Sequence, residues 1–211
     1  MRNRNKFLII LGSLLIAISL IFSYKLKSRE NEKRDSAKKL EENFKTLSES
    51  NNDLKKDQTD KINKNSKAKA DDITSDEAIG VIRIEKIDVL AEIFDNTNDD
   101  TLLKGVGLIE TTDMPSSKLG TTCAIAGHRG GTSDKLSFLN IDKLTNGDEI
   151  QITTKNEVLT YKVSGSEVIE SDDWSKFQRE DDKSRLILMA CHPYPINDKR
   201  ILIYAELAKD Q

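Results

Sequence analysis

Cysteine and histidine are scarce in this chain, and their scarcity limits the chemistry that it can perform. Two cysteines, two histidines, one tryptophan and three prolines occur among 211 residues. Cys123, Cys191, His128 and His192 lie at separations that make a poor zinc site. The stretch GHRGG at 127–131 has glycines but lacks the spacing and the following Lys-Ser/Thr of a phosphate-binding loop. Zinc sites and P-loop nucleotide sites are therefore disfavoured.

Positive charge is also sparse in the part of the chain that has the composition of a folded domain. Residues 77–211 contain 16 basic and 24 acidic residues, a net charge of −8. Phosphate backbones bind clustered Lys and Arg, so this acidic region is a poor candidate for binding nucleic acid. Residues 25–76 differ, because 14 basic and 12 acidic residues make about half of that stretch ionic, with a net charge of +2.

The N-terminus has the pattern of a membrane anchor. Three basic side chains precede Phe7–Tyr24, which are 18 residues without charge. A helix of that length spans about 27 Å, close to the hydrocarbon thickness of a bilayer. The alternative is a signal peptide cleaved near Ala17–Ser19, but the apolar run continues past that site. We expect an uncleaved anchor at 1–24, single-pass in the cell membrane with the remainder extracellular, although the basic residues on both flanks leave the orientation open.

Residues 25–76 predict a charged stalk or linker. No proline or glycine occurs from Ser28 to Asp72, and 61–72 have the composition of a disordered tether. The few apolar residues before that tether nevertheless keep heptad spacing with Asn51 in one core position: Ala37, Leu40, Phe44, Leu47 and Leu54. A solvated, partly helical stalk is the favoured interpretation. A short parallel coiled coil that forms a weak homodimer is the alternative.

The folded domain is expected over 77–211 and is predicted to be all-β. Runs that alternate or stay continuously apolar and are rich in β-branched residues follow one another, among them AIGVIRIEKIDV, TTCAIAG, DEIQITT, EVLTYKVSGSEVI, RLILMAC and KRILIYAEL. Helical signal is confined to short stretches around Asp99–Lys104, around Leu136–Leu144 and in DDWSKF. Many short strands with few helices predict a closed or nearly closed β-barrel.

Three residues at strand ends suggest acyl transfer. Cys191 ends an apolar strand, His128 follows another, and Arg200 begins a third. A thiolate can attack a carbonyl, a histidine can protonate the leaving amine, and a fixed cation can stabilise the oxyanion. His192 competes with His128 for the acid/base role, but in an extended segment it would point away from the neighbouring thiol.

The residues that carry these groups resemble the sortase family of Gram-positive bacteria. AGHRG at 126–130, the strand ending in Cys191, PYPINDKR leading to Arg200, and the opening IGVIRIEKIDVLAEIF are similar to sortase motifs. The resemblance covers roughly Ile79 to Leu207. It implies an eight-stranded sortase-type β-barrel with short helices, preceded by the transmembrane helix and the polar helical or disordered stalk.

The resemblance also implies an activity. Sortases are cysteine transpeptidases that cleave an LPxTG-like C-terminal sorting signal of surface proteins, hold the acyl group as a thioester, and transfer it to an amine acceptor of the cell wall. Carried over by position, Cys191 is the nucleophile, His128 the general acid/base and Arg200 the cation at the oxyanion. No cofactor is implied. Some sortases bind calcium, and Glu110, Asp113, Glu170, Asp172 and Asp173 are carboxylates that could contribute, but solvated acidic loops are the preferred interpretation.

The chain departs from the family pattern before the nucleophile. Sortases usually have Thr-Leu-x-Thr-Cys, and here Ile187-Leu188-Met189-Ala190 precedes Cys191, without either threonine. We therefore expect Ala190 to alter substrate contacts. Trp174 is a candidate for covering the substrate groove, with a core position as the alternative. Cys123 is expected to be a small buried hydrophobe, with a disulfide to Cys191 as the alternative.

Three other functions remain open on the sequence. A pilin-polymerising sortase would use a lysine of another pilin as the amine. The nine-residue spacing from Cys191 to Arg200 resembles the spacing in that subclass. Members of that subclass usually add a C-terminal membrane segment and a lid, which favours a class A-like or other single-anchor subclass here. A cysteine hydrolase would release its acyl group to water. A non-enzymatic extracellular β-domain on a coiled-coil stalk would leave the three residues without a role.

Overall fold

The computed structural model describes residues 2–56, 77–130 and 138–208. The helices and strands of these residues are α1 Arg2–Lys56, β1 Gly80–Ile84, β2 Val89–Phe94, α2 Asp99–Lys104, β3 Val106–Leu108, β4 Thr121–Ala126, β5 Glu149–Thr154, β6 Val158–Glu170, β7 Ser184–His192 and β8 Lys199–Leu207. Three single turns of 3-10 helix lie at Glu85–Ile87, Ile141–Lys143 and Ser175–Phe177. The tether predicted at 61–72 lies outside the described residues.

The strands close into one barrel in the order β1-β2-β3-β4-β7-β8-β6-β5. Neighbouring strands are antiparallel except for the pairs β2–β3 and β4–β7, which are parallel. The eight-stranded barrel expected from the sequence is therefore confirmed. The short helix expected at Asp99–Lys104 is α2, which begins after Asn98, whose side chain accepts a hydrogen bond from the Thr101 backbone N–H.

The barrel interior is the main hydrophobic core. β-Branched residues suit a pleated surface that is buried on one side, and alternate positions of each strand point inward. The largest side chains that are wholly buried include many isoleucines, among them Ile82, Ile125 and Ile152, together with Tyr161 and Phe138. Alternation along the strands therefore decides which side chains fill the interior and which lie on the outside of the barrel.

A second apolar cluster lies on the outer face of β4, β6, β7 and β8, and we call it the outer cluster. Its buried members are Ile109, Ala124, Ala126, Ile169, Ile187 and Leu202, with Phe177, Met189 and Tyr204 packed against them. Phe177 belongs to the segment 171–183 that joins β6 to β7. This connection, which we call the covering loop, thus packs part of its length on the outside of the barrel wall.

The opposite wall of the barrel is covered by α1. In the closed order, β1 and β7 are separated by three strands in either direction, so β1 lies across the barrel from β7. Ala37 of α1 is buried against Val81 of β1 and Leu90 of β2, and Leu40 packs against the same cluster. Two of the predicted heptad positions, Ala37 and Phe44, are therefore buried by the chain's own barrel rather than by a second helix.

Charged pairs join α1 to this wall as well. Arg83 of β1 donates from Nε and Nη2 to the two carboxylate oxygens of Glu41, at 3.1 and 2.5 Å. Arg34 donates from Nη2 to Asp88 Oδ1 at 2.7 Å. The solvated stalk expected from the sequence differs from this arrangement, because one face of the helix has both apolar and ionic partners on the barrel. A dimer formed through the same face would require α1 to leave the barrel, and the domain boundaries at 24 and 76 stay predictions.

The N-terminal part of α1 retains the character of a membrane segment. Among the described residues, α1 is the one helix that is long and apolar enough to cross a bilayer, and the apolar window is not buried by the rest of the chain. The helix continues without interruption from this window into the part that packs on β1 and β2. An apolar helix near the N-terminus is also what a signal sequence provides, so the assignment as an anchor stays a prediction.

Candidate active site

Cys191 and Arg200 face each other on neighbouring strands. Cys191 is the last residue but one of β7, Arg200 is the second residue of β8, and the two are direct partners in the antiparallel register. Direct partners have Cβ atoms about 4.5–5.5 Å apart and side chains on the same face. The register therefore brings the thiol and the guanidinium, nine positions apart in sequence, to one edge of the barrel.

His128 lies at the same edge on the other side of β7. β4 and β7 are parallel partners through Ala126 and Met189, and the Gly127 N–H donates to the Met189 carbonyl at 3.0 Å. The register ends at this pair, and His128 follows Ala126 by two residues as Cys191 follows Met189. All three predicted site residues thus follow or begin adjacent strands, in the spatial order His128, Cys191, Arg200.

Strand alternation puts Cys191 and Arg200 on the outer face of the barrel. Ile187 and Met189 belong to the outer cluster, so Cys191 continues their face. Leu202 and Tyr204 do the same for Arg200. Each of the three predicted site residues is partly exposed to solvent. The site therefore lies at the end of the outer cluster rather than inside the barrel mouth.

Two of the three prolines of the chain lie in the segment between β7 and β8. Both prolyl peptide bonds, His192–Pro193 and Tyr194–Pro195, are cis. Asn197 has a left-handed φ of 65°, and its backbone N–H donates to the Pro193 carbonyl at 2.7 Å. Arg200 Nη1 donates to the carbonyls of Asn197 at 3.3 Å and Lys199 at 2.9 Å. The guanidinium is consequently attached to the turn that follows the thiol.

Two glycines allow close packing around the segment that follows β4, and one of them, Gly130, packs against this turn. A Cβ on Gly127 would lie 2.8 Å from the ring of Phe138, which is wholly buried. Gly130 has a φ of +96°, and a Cβ there would lie 2.5 Å from the ring of Tyr194. A larger residue at position 130 would therefore push apart the segments that carry His128 and Cys191, and one at position 127 would displace the buried ring of Phe138.

Ala190 does not share the face of the thiol. It is 3% exposed and belongs to the core inside the barrel, as alternation from Cys191 requires. A peptide bound on the outer face would not reach its methyl group. The expectation that Ala190 contacts substrate therefore finds no support in this placement.

Trp174 lies on the covering loop. Its side chain is 58% exposed, and its ring centroid is 5.6 Å from that of Phe177, which packs on the outer cluster. Lys176, between them, binds Glu167 of β6 at 2.8 Å. Trp174 is thus a surface residue over the same barrel face as Cys191, and its contact with substrate stays a prediction.

The two cysteines lie on different faces and are both free. Cys123 is 1% exposed inside the barrel and pairs in register with Leu186, five residues before Cys191. Five residues of a strand span about 16 Å, well beyond the Cα separation of a disulfide. The disulfide alternative is therefore excluded in this fold. Burial, with a smaller contribution from Asp113, raises the pKa of the Cys123 thiol well above its ordinary value.

Two of the carboxylates considered for calcium, Asp113 and Glu170, are bound to other groups of the chain. Asp113 accepts hydrogen bonds from Arg179 Nε at 2.8 Å and from the Thr122 N–H at 3.0 Å. Glu170 pairs with Lys199 at 2.7 Å. Among the described residues, no group of three or more His, Cys, Asp or Glu side chains is arranged to hold a metal ion.

Sequence reasoning missed Arg129, which is a buried charge beside the site. Arg129 Nη1 lies 2.6 Å from Nδ1 of His192, and Nη2 lies 2.7 Å from Oδ2 of Asp142. Arginine is mostly exposed in proteins, and nothing in GHRGG indicates burial. The one sequence signal was its position directly after His128.

Comparisons with known proteins agree with this architecture. The family model described as Sortase domain matches residues 82–208. Sortase D of Bacillus subtilis (strain 168) is 28% identical over 133 residues, which cover 62% of this chain and 64% of the relative. The match thus spans less than two thirds of the length of that curated relative.

Solved structures of the same family superpose on the barrel. Sortase C2 of Group B Streptococcus Pilus Island 1 has a TM-score of 0.62 and 31% identity, covering 64% of this chain and 77% of its own. Sortase C1 of Streptococcus agalactiae has a TM-score of 0.62 and 28% identity, with coverages of 66% and 72%. Sortase C-1 of Actinomyces oris has a TM-score of 0.61 and 27% identity, with coverages of 66% and 77%. With the family model matching more than half of the 211 residues, the chain belongs to the sortase family.

Proposed function

We propose that the chain is a membrane-anchored cysteine transpeptidase that acts on LPxTG-like sorting signals through Cys191, His128 and Arg200. One observation carries the proposal: Cys191 and Arg200 are register partners on the outer face, and His128 follows the strand on the other side of β7. A nucleophile, a proton carrier and a permanent cation are the three groups that thiol-based acyl transfer needs.

The proposed first half of the reaction forms a thioester. The thiol proton moves to His128, and Cys191 Sγ attacks the carbonyl carbon of the scissile bond. The Arg200 guanidinium stabilises the negative charge that develops on the carbonyl oxygen. When the tetrahedral adduct collapses, the C–N bond breaks, and His128 returns the proton to the leaving amine.

The second half transfers the acyl group. An incoming amine attacks the thioester carbonyl and loses a proton to His128. The C–S bond then breaks, Cys191 leaves as thiolate, and the new amide is released. If water replaces the amine, the same steps give hydrolysis, so the acceptor decides which product forms.

A cell-wall amine is the proposed acceptor, and a lysine of a pilin is the second candidate. Similarity to a sortase C2 named for Pilus Island 1 of Group B Streptococcus favours the second candidate. The apolar window of α1 supports membrane anchoring, with the barrel proposed to lie outside the cell. Protease added to intact cells should then degrade the barrel. Protection of the barrel until the cells are lysed would contradict this orientation.

A peptide assay on the full-length chain in detergent tests the proposed function. A fluorogenic LPxTG peptide is mixed with triglycine, with a lysine-bearing peptide, or with no amine. We expect cleavage, an acyl adduct on Cys191 by intact mass, and an amide product whose acceptor identifies the subclass. Cys191→Ala should abolish turnover and adduct while circular dichroism stays unchanged.

Three outcomes would contradict the proposal in different ways. Full activity in Cys191→Ala would exclude this nucleophile. Turnover that is independent of amine and gives only a free carboxylate would identify a hydrolase instead of a transpeptidase. No turnover of any sorting peptide would favour the non-enzymatic β-domain.

A further inference from the structure

Arg129 is a buried arginine at the edge of the barrel where Cys191 and Arg200 lie. Its side chain is 6% exposed, although arginine is seldom buried without strong partners. It directly follows His128 in the sequence, as His192 directly follows Cys191. A buried guanidinium that lies next to two candidate reactive residues requires an explanation from its contacts.

Three nitrogens of Arg129 contact three separate groups. Nη1 contacts His192 Nδ1 at 2.6 Å, Nη2 contacts Asp142 Oδ2 at 2.7 Å, and Nε donates to the Leu139 carbonyl at 3.2 Å. The partners come from the end of β7, from the 3-10 turn Ile141–Lys143, and from the chain just before that turn. One side chain therefore ties together the segments that follow β4 and β7.

The register explains why Arg129 and His192 meet. If His128 lies level with Cys191, the next two residues, Arg129 and His192, are also level. Strand alternation turns this second pair to the face opposite the first. The contact between Arg129 and His192 thus lies immediately behind the proposed reactive pair, and it fixes the same two backbone segments.

The contact also fixes the tautomer of His192. A guanidinium has only donors and remains protonated at any working pH. His192 Nδ1 must therefore accept, so a neutral imidazole carries its proton on Nε2. His192 is held by Arg129 as an acceptor, and the imidazole of His128 is left as the proton carrier on the other face.

Further contacts surround His128. Its carbonyl accepts a hydrogen bond from the Phe138 N–H at 2.7 Å. Gly130 packs under the ring of Tyr194, so the two segments touch a second time beyond Arg129. These contacts are made at His128 itself and by the two residues that follow it, and Arg129 supplies the charged one.

We propose that Arg129 is a positioning residue that, through His192 Nδ1, holds His128 in register with Cys191. This inference rests on the proposed function for its effect on rate. Misplacing a reacting group by about 1 Å lowers rates by about 10²-fold. Loss of the contact should therefore lower kcat strongly and leave KM nearly unchanged, because the peptide contacts the opposite face.

Substitutions in the full-length chain in detergent test the rate effect. Arg129→Met should lower kcat about 10²-fold, with KM within about 2-fold of the original. Asn puts an amide oxygen at the δ position, so His192→Asn should retain most of kcat. His192→Leu, of similar size but without an acceptor, should resemble Arg129→Met. Arg34→Met, which removes an arginine–carboxylate pair from the opposite wall, should leave kcat unchanged.

The double variant Arg129→Met/His192→Leu separates positioning from general destabilisation. If the two side chains act as one unit, the double variant should be no slower than the slower single variant. The free energy of unfolding, measured in parallel, should not follow the same pattern. Multiplied losses in kcat, or equal losses in His192→Asn and His192→Leu, would overturn the proposal.

The tautomer of His192 can be measured by NMR, independently of any activity assay. The chain has two histidines, so ¹⁵N-histidine labelling gives two ring spin systems, and His192→Asn assigns them. We expect His192 with an unprotonated Nδ1 in the original chain and a changed Nδ1 signal in Arg129→Lys, whose single ammonium lacks the planar fork. A protonated Nδ1 in the original chain overturns the contact.

The proposed function and the positioning role of Arg129 can fail separately. If Cys191→Ala keeps its transfer activity, the proposed function fails, and the ¹⁵N signals still decide whether Arg129 holds His192. If the original chain transfers the acyl group and Arg129→Met keeps full kcat, the positioning role fails while the proposed function stands.

Discussion

The two outer walls of the barrel are both covered, but by different means. The wall of β1, β2 and β5 lies under α1, which adds Ala37 to a small apolar cluster and pairs Glu41 with Arg83. The wall of β4, β7 and β8 lies partly under the covering loop, which adds Phe177 to the outer cluster. Helix and barrel are joined by ion pairs on one wall, and the other wall leaves Trp174 and Tyr194 exposed beside Cys191.

The difference between the walls indicates that they have different roles. The helix-covered wall has its buried charges paired, so it suits stable attachment of the barrel to α1. The loop-covered wall combines a partly exposed thiol with exposed aromatic residues, as expected of a surface that receives a peptide. Four substitutions test this difference: one on the loop-covered wall, two in α1 and one inside the barrel.

The largest effect is expected from arginine on the loop-covered wall. Arg200→Gln should lower kcat/KM about 10²–10³-fold, because it removes the cation proposed to stabilise the oxyanion. The free energy of unfolding should change little, since Arg200 is partly exposed and bonds to its own turn. The measurement is steady-state peptide cleavage with parallel thermal unfolding. Activity within a few-fold of the original would exclude the role of Arg200.

A small-to-large substitution tests whether α1 packs on the barrel or on a second helix. Ala37→Leu should destabilise the chain by about 1–3 kcal/mol, because Leu overpacks the contact with Val81 and Leu90. In a coiled coil the same change would add a leucine to the seam and stabilise a dimer. Thermal unfolding and analytical ultracentrifugation in detergent distinguish the two. Leu47→Ala, at a position that is 47% exposed, is the control and should have little effect.

The ion pair under α1 predicts a pH dependence of stability. Burial raises the pKa of Glu41, but hydrogen bonds from Arg83 and Lys45 lower it more, so the net pKa lies below the ordinary 4.5. A lowered pKa contributes stability above the ordinary value, and this contribution is lost as the pH falls through the folded value. Unfolding free energies of the original chain and Glu41→Gln should therefore converge below about pH 4.5. A constant difference down to pH 2 would contradict this assignment.

The smallest effect is expected from the cysteine inside the barrel. Cys123→Ala should leave kcat within about 2-fold, because its thiol lies in the core and takes no part in the proposed reaction. Iodoacetamide should label the folded chain once, at Cys191, since burial raises the pKa of Cys123 and excludes the reagent. Peptide mapping after alkylation gives the site. Labelling of Cys123 at a rate similar to Cys191 would show that the barrel opens.

Particular residues show how far the sequence could predict the site. Cys191 and Arg200 were identified by their chemistry at strand ends, and strand pairing set them opposite each other. Ala190 was chosen because it replaces the threonine that usually precedes the nucleophile in the family, but neighbouring residues in a strand point to opposite faces. Arg129 was passed over because its burial depends on partners that are ten or more residues away in the sequence.

The N-terminal helix shows that sequence also could not predict which elements pack together in the fold. Of the heptad positions, Ala37 and Phe44 are buried, whereas Leu47 is 47% exposed, and the polar residues Glu41 and Ser48 are buried on the same helix. Spacing could not indicate whether a second helix or the barrel covers these residues, because either surface satisfies the same pattern. The long-range pair of Glu41 with Arg83 decides in favour of the barrel.

Local periodicity and residue chemistry were enough to indicate which segments are strands and where the apolar window lies. They also indicated which side chains can react. Only the tertiary structure decided that β1 and β7 stand on opposite walls, that α1 covers the first, and that Arg129 meets His192 behind Cys191. The reason is physical: the face of a strand is set by its own alternation, whereas the neighbour on that face is set by pairing between segments far apart in the chain.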